Sequence, residues 1–413
     1  MTEPLHQEKC AVAIIGAGPA GLSAAMELKR LGVDDVLVLE REPEAGGIPR
    51  HCGHPPFGLM EYARPMTGPA YARRLVADAR AAGVRIALRT TVVEIRPQAR
   101  LLISRPDGLA EMHARQVLIT TGVRETPRSA RLVSGTRPLG VLNTGALQAM
   151  VYLKGVVPFR RPVIVGTELV SFSALWTCRR AGIRPVAMLE ENARPTVRWP
   201  LHWAARLFGV PLHLNTTIAA IHGHERVEAV ELSDGRRLAC DGVLFTGRFV
   251  PESSLARLGH LALDKGTNGP VVDQYGRCSD PSYHAAGNVL RPVEHAGWCW
   301  NEGRIVARDI AATLATNHGN EAAGEGEDIA LMPEPPLRYA MPQRLRRNGN
   351  GHDGMKHVQL RVDRPVSGTL LVTDGDRPLY ARRLRAIPEQ RITIPIEALL
   401  PARQSQLRLT ISS

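Results

Sequence analysis

The segment AVAIIGAGPAG, residues 11–21, decides the fold. Its apolar run leads directly into Gly16, Gly18 and Gly21, and the following LSAAMELKRLG has the periodicity of an amphipathic helix. In a strand–turn–helix unit the first glycine allows a tight turn, the second lets the backbone approach a diphosphate, and the third lets the helix pack on the strand. The helix N-terminus adds free N–H groups and a positive dipole end. The segment therefore predicts a nucleotide-binding βαβ unit.

The same order of elements returns later in the chain. A second strand, VLVLE, ends at Glu40, where a ribose diol needs an acceptor. From RPVIVGTELVS, residues 161–171, strand, turn, helix and strand follow again and end at Glu190. Gly16 to Glu40 and Gly166 to Glu190 both span 24 positions. Two copies of one unit predict two dinucleotide-type domains.

The second loop departs from the first at its central position. Gly166, Glu168 and Ser171 occupy the three glycine positions. A glutamate there crowds the place of the diphosphate, and at about 4 Å two like charges repel by roughly 1 kcal/mol in water and about 4 kcal/mol at an effective dielectric near 20. We expect a degenerate NAD(P)-binding domain that keeps its scaffold but binds nucleotide weakly. The alternative is a Glu168 side chain that rotates away and leaves the pocket open, and Glu190 fits either case.

These patterns place the chain in the α/β class, with two Rossmann-like dinucleotide-binding domains and a small C-terminal all-β domain. The first domain is discontinuous, residues 1–140 and 265–320, because the second domain, residues 141–264, is inserted into it. Residues 321–355 are rich in Gly, Asn, Pro and charge, which predicts a linker. Alternating apolar residues predict strands in 356–413. A core of that size is marginal alone, so we expect it to dock on a neighbour.

Composition narrows the class of protein. The 413 residues carry a formal net charge of +12, but only five of the 52 Lys+Arg residues are lysine. With no basic stripe interleaved with aromatic residues, this skew does not predict nucleic-acid binding. Six scattered cysteines without a C-x-x-C pair disfavour a disulfide framework, an iron–sulfur cluster or a zinc site. The polar start MTEPLHQEK and the lack of an apolar run of transmembrane length predict a cytoplasmic chain.

The motifs resemble the two-domain flavoproteins of the pyridine nucleotide–disulfide oxidoreductase superfamily. The matching pieces are GAGPAG with Glu40, the Gly46-Gly47 pair, ITTGVRETPR at 119–128 and AAGNV at 285–289. The resemblance implies FAD in the first domain, held by Gly16, Gly18, Pro19, Ala20, Gly21, Glu40, Arg41, Gly47, Val93, Thr121, Gly122, Gly287, Asn288 and Ala296. Two residues depart from the family pattern. Thr120 replaces an alanine, a minor change, and Asn288 replaces the aspartate that holds the ribityl chain, although an amide oxygen can accept the same hydrogen bond.

A narrower resemblance concerns partners. GGIPRHCGHPPFGL, residues 46–59, and PFRRPVIVGTELVSFSA, residues 158–174, resemble electron-transfer subunits related to opine oxidase and hydrogen cyanide synthase. This implies two partners, namely a second flavoprotein subunit together with a small iron–sulfur subunit. No cysteine follows Cys299, so any cluster would belong to another subunit. The chain itself has no predicted transmembrane segment, which leaves peripheral membrane association of the complex open.

Two residues are candidates for chemistry beside the flavin. Cys52 follows Gly47 in a segment that the resemblance places near the isoalloxazine, where a thiolate could be redox active. It has no partner cysteine nearby, and a packed structural cysteine is the alternative; the flanking His51 and His54 do not predict a metal site. His295 precedes a helix whose N-terminus points at the flavin in the family, so it could donate a proton. Its alternative is a capping or packing role.

These observations lead to one main functional hypothesis and two alternatives. The main hypothesis is an FAD-dependent, electron-transferring subunit of a multi-subunit dehydrogenase or oxidase that acts on a small amine, opine or hydroxy acid. The first alternative is a stand-alone NAD(P)H-dependent flavin reductase, which requires a working second site. The second alternative is a non-catalytic assembly subunit that flavin stabilises.

Overall fold

The computed structural model describes residues 6–197, 203–315, 328–347 and 353–412. The first part of the chain alternates strands and helices. Its strands are β1 (His6–Ile15), β2 (Val36–Leu39), β3 (Arg85–Ala87), β4 (Thr91–Arg96), β5 (Arg100–Arg105), β6 (Gly108–Ile119) and β7 (Val123–Glu125). Its helices are α1 (Pro19–Arg30), α2 (Leu59–Tyr62) and α3 (Gly68–Ala81), with a 3₁₀ turn at Ile48–His51.

The middle of the chain repeats this alternation. Its strands are β8 (Ser134–Gly135), β9 (Val141–Asn143), β10 (Pro162–Val165), β11 (Ala187–Leu189), β12 (Leu212–His213), β13 (Ile218–His222), β14 (Ala229–Leu232), β15 (Arg237–Ala239), β16 (Gly242–Phe245), β17 (Phe249–Pro251) and β18 (Tyr283–Ala285). Its helices are α4 (Thr144–Lys154), α5 (Leu169–Arg180), α6 (Ala204–Leu207), α7 (Ser254–Leu258) and α8 (Ala296–Ala315), with 3₁₀ turns at Arg128–Arg131 and Gly287–Val289.

The last part contains only strands and one 3₁₀ turn at Ile396–Ala398 among its described residues. The strands are β19 (Asp328–Pro333), β20 (Leu337–Met341), β21 (Arg344–Arg346), β22 (His357–Val362), β23 (Val366–Asp374), β24 (Arg377–Ala386), β25 (Ile392–Pro395) and β26 (Gln406–Ser412).

The first sheet has the order β3-β2-β1-β6-β5-β4. Strands β3, β2, β1 and β6 are parallel, and β5 and β4 continue the sheet as an antiparallel meander. The long β6 pairs with β5 along its first half and with β18 at Val117–Ile119. Since β18 follows the whole second α/β unit in sequence, this pairing confirms the discontinuous first domain.

The second sheet is parallel, with the order β12-β11-β10-β16-β9. Its three central strands, β11, β10 and β16, are buried almost throughout, in agreement with the continuous apolar runs VIV and VLF, whereas the edge strands β12 and β9 are partly exposed. A smaller sheet, β15-β14-β13-β8, packs against it through a shared apolar core. The two α/β units predicted from the glycine spacing are therefore both present.

The C-terminal strands form two sheets, β21-β19-β26-β23-β24 and β20-β22-β25. The prediction of a linker over 321–355 was wrong for residues 328–346, which form β19 to β21. Ile329, Leu331 and Leu345 are buried there, but prolines and arginines between the short apolar runs hide the alternation. Residues 321–327 and 348–352 lie outside the described residues.

The C-terminal sheets share one apolar core with the first domain, which agrees with the expected docking. Leu331 and Val358 belong to the same buried cluster as Val12 and Ala285. Among the described helices, none is both long and apolar enough to cross a membrane.

Candidate functional site

The first glycine loop is packed too closely for larger residues. Gly16 has φ +106°, and a Cβ added there would lie 2.7 Å from the carbonyl oxygen of Thr120. A Cβ added at Gly21 would lie 2.1 Å from the carbonyl oxygen of Gly16. These contacts press the loop and the start of α1 against the carboxyl ends of β1 and β6, where ligands bind in open α/β sheets.

The N-terminus of α1 faces a second glycine segment. Gly47 has φ +63°, and a Cβ there would lie 2.8 Å from the Cα of Gly18. Gly18 is the N-cap of α1, and no side chain accepts a hydrogen bond at this cap. Pro19 and Ala20 open the helix. The first N–H groups of α1 therefore remain available to an anionic ligand.

Glu40 lies buried at the end of β2, beside the loop. The backbone N–H groups of Ala17 and Glu42 donate to its two carboxylate oxygens, both at 2.9 Å. A carboxylate has about four lone-pair positions, so acceptor capacity remains for a ribose hydroxyl. The neighbouring Arg41 is exposed.

Thr120 holds the loop in place. Its replacement of the family's alanine is therefore not the minor change that we expected. Its hydroxyl lies 2.9 Å from the carbonyl oxygens of both Ile15 and Gly16. The next residue, Thr121, donates to the carbonyl of Glu252 at 2.6 Å, and Gly122 has φ +76°. This segment therefore joins β6 to the first loop and to the chain that returns from the second domain.

The segment AAGNV, residues 285–289, runs from the end of β18 towards α8, next to α1. Gly287 has φ +79°, and a Cβ there would lie 2.9 Å from the Cβ of Ala20. A Cβ at Gly303 would lie 2.1 Å from the carbonyl oxygen of Ala20, so α8 crosses α1 at close range. The fully buried Arg291 donates to Glu302 and to the carbonyl of Gly287, which fixes the turn.

Glu294, just before Ala296 opens α8, is surrounded by arginines. Arg361 donates to its carboxylate at 3.0 Å, and Arg391 forms a bidentate pair with it. Burial alone would raise the pKa of Glu294, but the charges of Arg291, Arg391 and Arg361 hold it below its ordinary value. Arg361 and Arg391 come from the C-terminal strands and their loop, so this domain contributes to the wall beside α8.

In the second loop the Glu168 side chain is folded into the cleft. Glu168 has the same extended N-cap conformation as Gly18, so the backbone repeats without strain. A Cβ added at Gly247 would lie 2.2 Å from Oε1 of Glu168, and Thr246 donates to Oε2 at 3.2 Å. The carboxylate therefore covers the ends of β10 and β16. Burial is the main cause that raises its pKa to about 7.

Glu190 is held by side chains, unlike its counterpart Glu40. Thr167 donates its hydroxyl to Glu190, and Asn192 donates both its backbone N–H, at 3.0 Å, and its side-chain amide, at 2.6 Å. Glu190 is only 3% exposed. Most of its acceptor capacity is therefore used within the protein.

The third position of the second loop, Ser171, is hydrogen-bonded to the ends of the neighbouring strands. Ser171 is fully buried and lies 3.1 Å from the carbonyl oxygen of Gly166 and 2.8 Å from the hydroxyl of Thr246. The Thr246 hydroxyl in turn lies 3.0 Å from the carbonyl oxygen of Val165, much as the Thr120 hydroxyl lies near that of Ile15 in the first loop. The serine therefore ties the helix to the strands.

Residues 10–303 match the family described as pyridine nucleotide-disulphide oxidoreductase. The chain belongs to this family. Its relatives include the ferredoxin reductase component of chlorobenzene dioxygenase from Cupriavidus sp. (strain PS12), 28% identical over 86% of this chain and 89% of that protein. One of the subunits of opine oxidase from Rhizobium meliloti (strain 1021) is 25% identical over 73% and 70% of the two chains.

Solved structures share the fold of this oxidoreductase. Thioredoxin reductase of T. acidophilum superposes with a TM-score of 0.61 at 23% identity, over 74% of this chain and 98% of that chain. The NAD-dependent persulfide reductase of A. fulgidus gives 0.58 at 17% identity, over 93% and 71%. At these identities the likeness shows the fold alone.

The oxidoreductase binds FAD, and its first domain fits that cofactor. Gly16, Gly18 and Gly47 form a cradle that side chains would fill, the α1 N-terminus is uncapped, and Glu40 keeps acceptor capacity. When bound, FAD supplies reversible electron acceptance and donation. The contact of each predicted residue with FAD stays a prediction. Val93, for example, is the bulged residue of β4 and is 49% exposed.

The two catalytic candidates of the oxidoreductase lie in different surroundings. Cys52 is 8% exposed, its sulfur lies 3.6 Å from Oε1 of Gln148, and burial raises its thiol pKa to about 12. A neutral thiol favours the packing alternative. His295 lies beside Trp298, and burial lowers its pKa although the charge of Glu294 opposes this. The proton-donor role of His295 stays a prediction.

Proposed function

We propose that this FAD-dependent oxidoreductase is the electron-transferring subunit of a multi-subunit dehydrogenase or oxidase. A partner flavoprotein oxidises a small amine, opine or hydroxy acid, and this chain passes the electrons onward to an iron–sulfur subunit. The observation that carries the proposal is the Glu168 carboxylate over the ends of β10 and β16. Similarity to subunits of opine oxidase and sarcosine oxidase supports it.

The physical argument is one of competition for the second site. A dinucleotide would have to displace the hydrogen bond between Thr246 and Glu168 and place its diphosphate beside a carboxylate. It would also meet Glu190, whose oxygens are engaged by Thr167 and Asn192. Each loss weakens NAD(P)H binding, and electrons then enter through a protein partner.

A stand-alone NAD(P)H-dependent reductase is the second candidate. The specific observation in its favour is the 28% identity over 86% of the chain to a ferredoxin reductase component. In addition, a Glu168 pKa of about 7 leaves a large fraction of this carboxyl neutral at neutral pH, which reduces the repulsion. The two candidates differ in where electrons enter the chain.

Anaerobic stopped-flow mixing separates the candidates. The FAD-loaded chain is mixed with NADH and with NADPH, and flavin absorbance is followed. We expect slow reduction that does not saturate with either nucleotide. Rapid, saturable reduction would contradict the electron-transferring subunit and favour the stand-alone NAD(P)H-dependent reductase. A tagged chain recovered from its native host should also bring down a second flavoprotein, whose candidate substrates then reduce the flavin of this chain.

A further inference from the structure

The loop between β24 and β25 in the C-terminal domain reaches the second α/β domain. Its Glu389 is partly buried, and Oε1 of Glu389 accepts a hydrogen bond from the backbone N–H of Leu169 at 3.4 Å. Leu169 is the first residue of α5. A side chain from another domain therefore caps the helix of the degenerate nucleotide unit.

The N–H groups in the first turn of such a helix are those that receive a diphosphate in a dinucleotide-binding unit. The two units of this chain differ at that place. The N-terminus of α1 has no side-chain acceptor at its cap, whereas α5 has the Glu389 carboxylate. A carboxylate offers a helix N-terminus the same negative charge and oxygen acceptors as a phosphate.

The position of Glu389 is fixed by contacts on the first domain. Arg361 donates through Nη1 to the carbonyl of Glu389 and through Nη2 to Glu294 at 3.0 Å. Arg391, two residues after Glu389, pairs with the same Glu294 and lies over Trp298 at 4.2 Å. The loop is therefore held between the start of α8 and the start of α5.

The charges around Glu389 oppose a further anion. Burial and the charge of Glu190 raise the pKa of Glu389, and burial and the charge of Glu389 raise the pKa of Glu168. The positive charge of Arg361 lowers the pKa of Glu389, and that of Arg131 lowers the pKa of Glu168. Both guanidinium groups already donate hydrogen bonds to backbone carbonyls. A nucleotide diphosphate would enter this field and would have to displace Glu389 from the helix.

We propose that Glu389 is a specificity-determining residue: its carboxylate takes the place of the diphosphate at the N-terminus of α5 and excludes NAD(P)H from the second site. The inference rests on the proposed function, in which electrons do not enter from a nicotinamide nucleotide. It extends that proposal, because Glu389 joins Glu168 as a second carboxylate that opposes nucleotide binding and the C-terminal domain gains a role.

Calorimetric titration of the FAD-loaded full chain with NADH tests this. The variants are Glu389→Gln, Glu389→Ala, Glu168→Gly and the double variant Glu168→Gly/Glu389→Ala, with the exposed Glu397→Gln as a matched control in the same domain. We expect Glu389→Ala to tighten NADH binding by about tenfold, equivalent to about 1.4 kcal/mol. Glu389→Gln should gain less, since its amide oxygen can still accept from Leu169. The double variant should bind tighter than either single variant, and Glu397→Gln should match the parent.

The outcomes separate the two proposals. If the parent already binds NADH with micromolar affinity, the proposed function falls and the inference falls with it. If the parent binds weakly and Glu389→Ala binds equally weakly, with unchanged FAD content and thermal midpoint, the inference is overturned and the proposed function stands. If Glu389→Ala does not fold, Glu389→Gln decides, because it keeps the side-chain shape and removes only the charge.

Discussion

The side chain of Asn288 is paired with the backbone of Glu294 through both of its polar groups. Its Nδ2 donates to the carbonyl of Glu294 at 2.9 Å, and its Oδ1 accepts from the N–H of Glu294 at 2.7 Å. The aspartate that the family pattern has at this position could make only the second of these bonds. The amide therefore closes the turn that leads into α8, and its oxygen keeps one lone pair for a ligand.

Replacing Asn288 by aspartate should weaken FAD retention. A carboxylate oxygen would face the carbonyl of Glu294 without a proton between them, and the turn before α8 would lose a hydrogen bond. Leaving such a group unpaired costs about 1–3 kcal/mol. FAD release on dialysis or dilution measures the effect. Tighter FAD binding in Asn288→Asp would show that contact with the ribityl chain, rather than the turn at Glu294, determines which residue is favoured at this position.

Glu40→Ala should loosen FAD by about 1–3 kcal/mol, because a buried acceptor is lost and the N–H of Ala17 loses its partner. Fluorescence of released flavin during dialysis measures this. Glu42→Ala is the matched control, since it changes an exposed neighbour and keeps the backbone N–H that donates to Glu40. Parent-like flavin retention in Glu40→Ala would mean that the ribose site lies elsewhere.

The parts of the site that were predicted from the sequence depend on local geometry. Gly16 and Gly166 adopt positive φ values, +106° and +111°, and a Cβ at Gly21 would meet the carbonyl oxygen of Gly16, so the tight loop itself requires these glycines. Strand periodicity shows where each unit begins. The same logic located Glu40 and Glu190 by counting from the loops. Spacing therefore carried the prediction of both α/β domains.

The remaining parts depend on contacts between distant segments. Arg361 and Arg391 reach Glu294 across 67 and 97 positions of sequence, and Glu389 reaches Leu169 across 220. The local sequence around an arginine or glutamate in a short strand or loop does not indicate such a distant partner. The strands at 328–346 escaped prediction for a related reason, since their cores form only against the first domain and the later strands.

Cys52→Ser should leave FAD content and electron transfer unchanged. The buried thiol has a pKa of about 12, so it is not a thiolate at neutral pH, and within the described part of the chain all six cysteines are free. A hydroxyl at the same place can hydrogen-bond to Gln148. Turnover with the partner and flavin absorbance are measured together. Lost turnover at full flavin occupancy would assign Cys52 a redox role.

Glu168 makes stability depend on pH in a direction opposite to that of a paired carboxylate. Its pKa is raised from 4.5 to about 7 in the folded chain, so between these values the folded state binds more protons than the unfolded state. The contribution of Glu168 to the free energy of unfolding is therefore fully present below about pH 4.5 and is lost as the pH rises from there to about 7. At pH 8 the cost reaches at most about 3 kcal/mol, at 1.36 kcal/mol per unit of pKa.

Glu168→Gln should remove this cost, because the amide stays neutral and keeps an oxygen for the Thr246 hydroxyl. The free energy of unfolding should rise relative to the parent at pH 8 and rise much less at pH 5, as measured by denaturant titration of the FAD-loaded chain. Glu397→Gln removes an exposed carboxylate and measures the contribution of net charge alone. An effect no larger at pH 8 than at pH 5 would mean that folding does not raise the pKa of Glu168, and the closed second site would then need another cause.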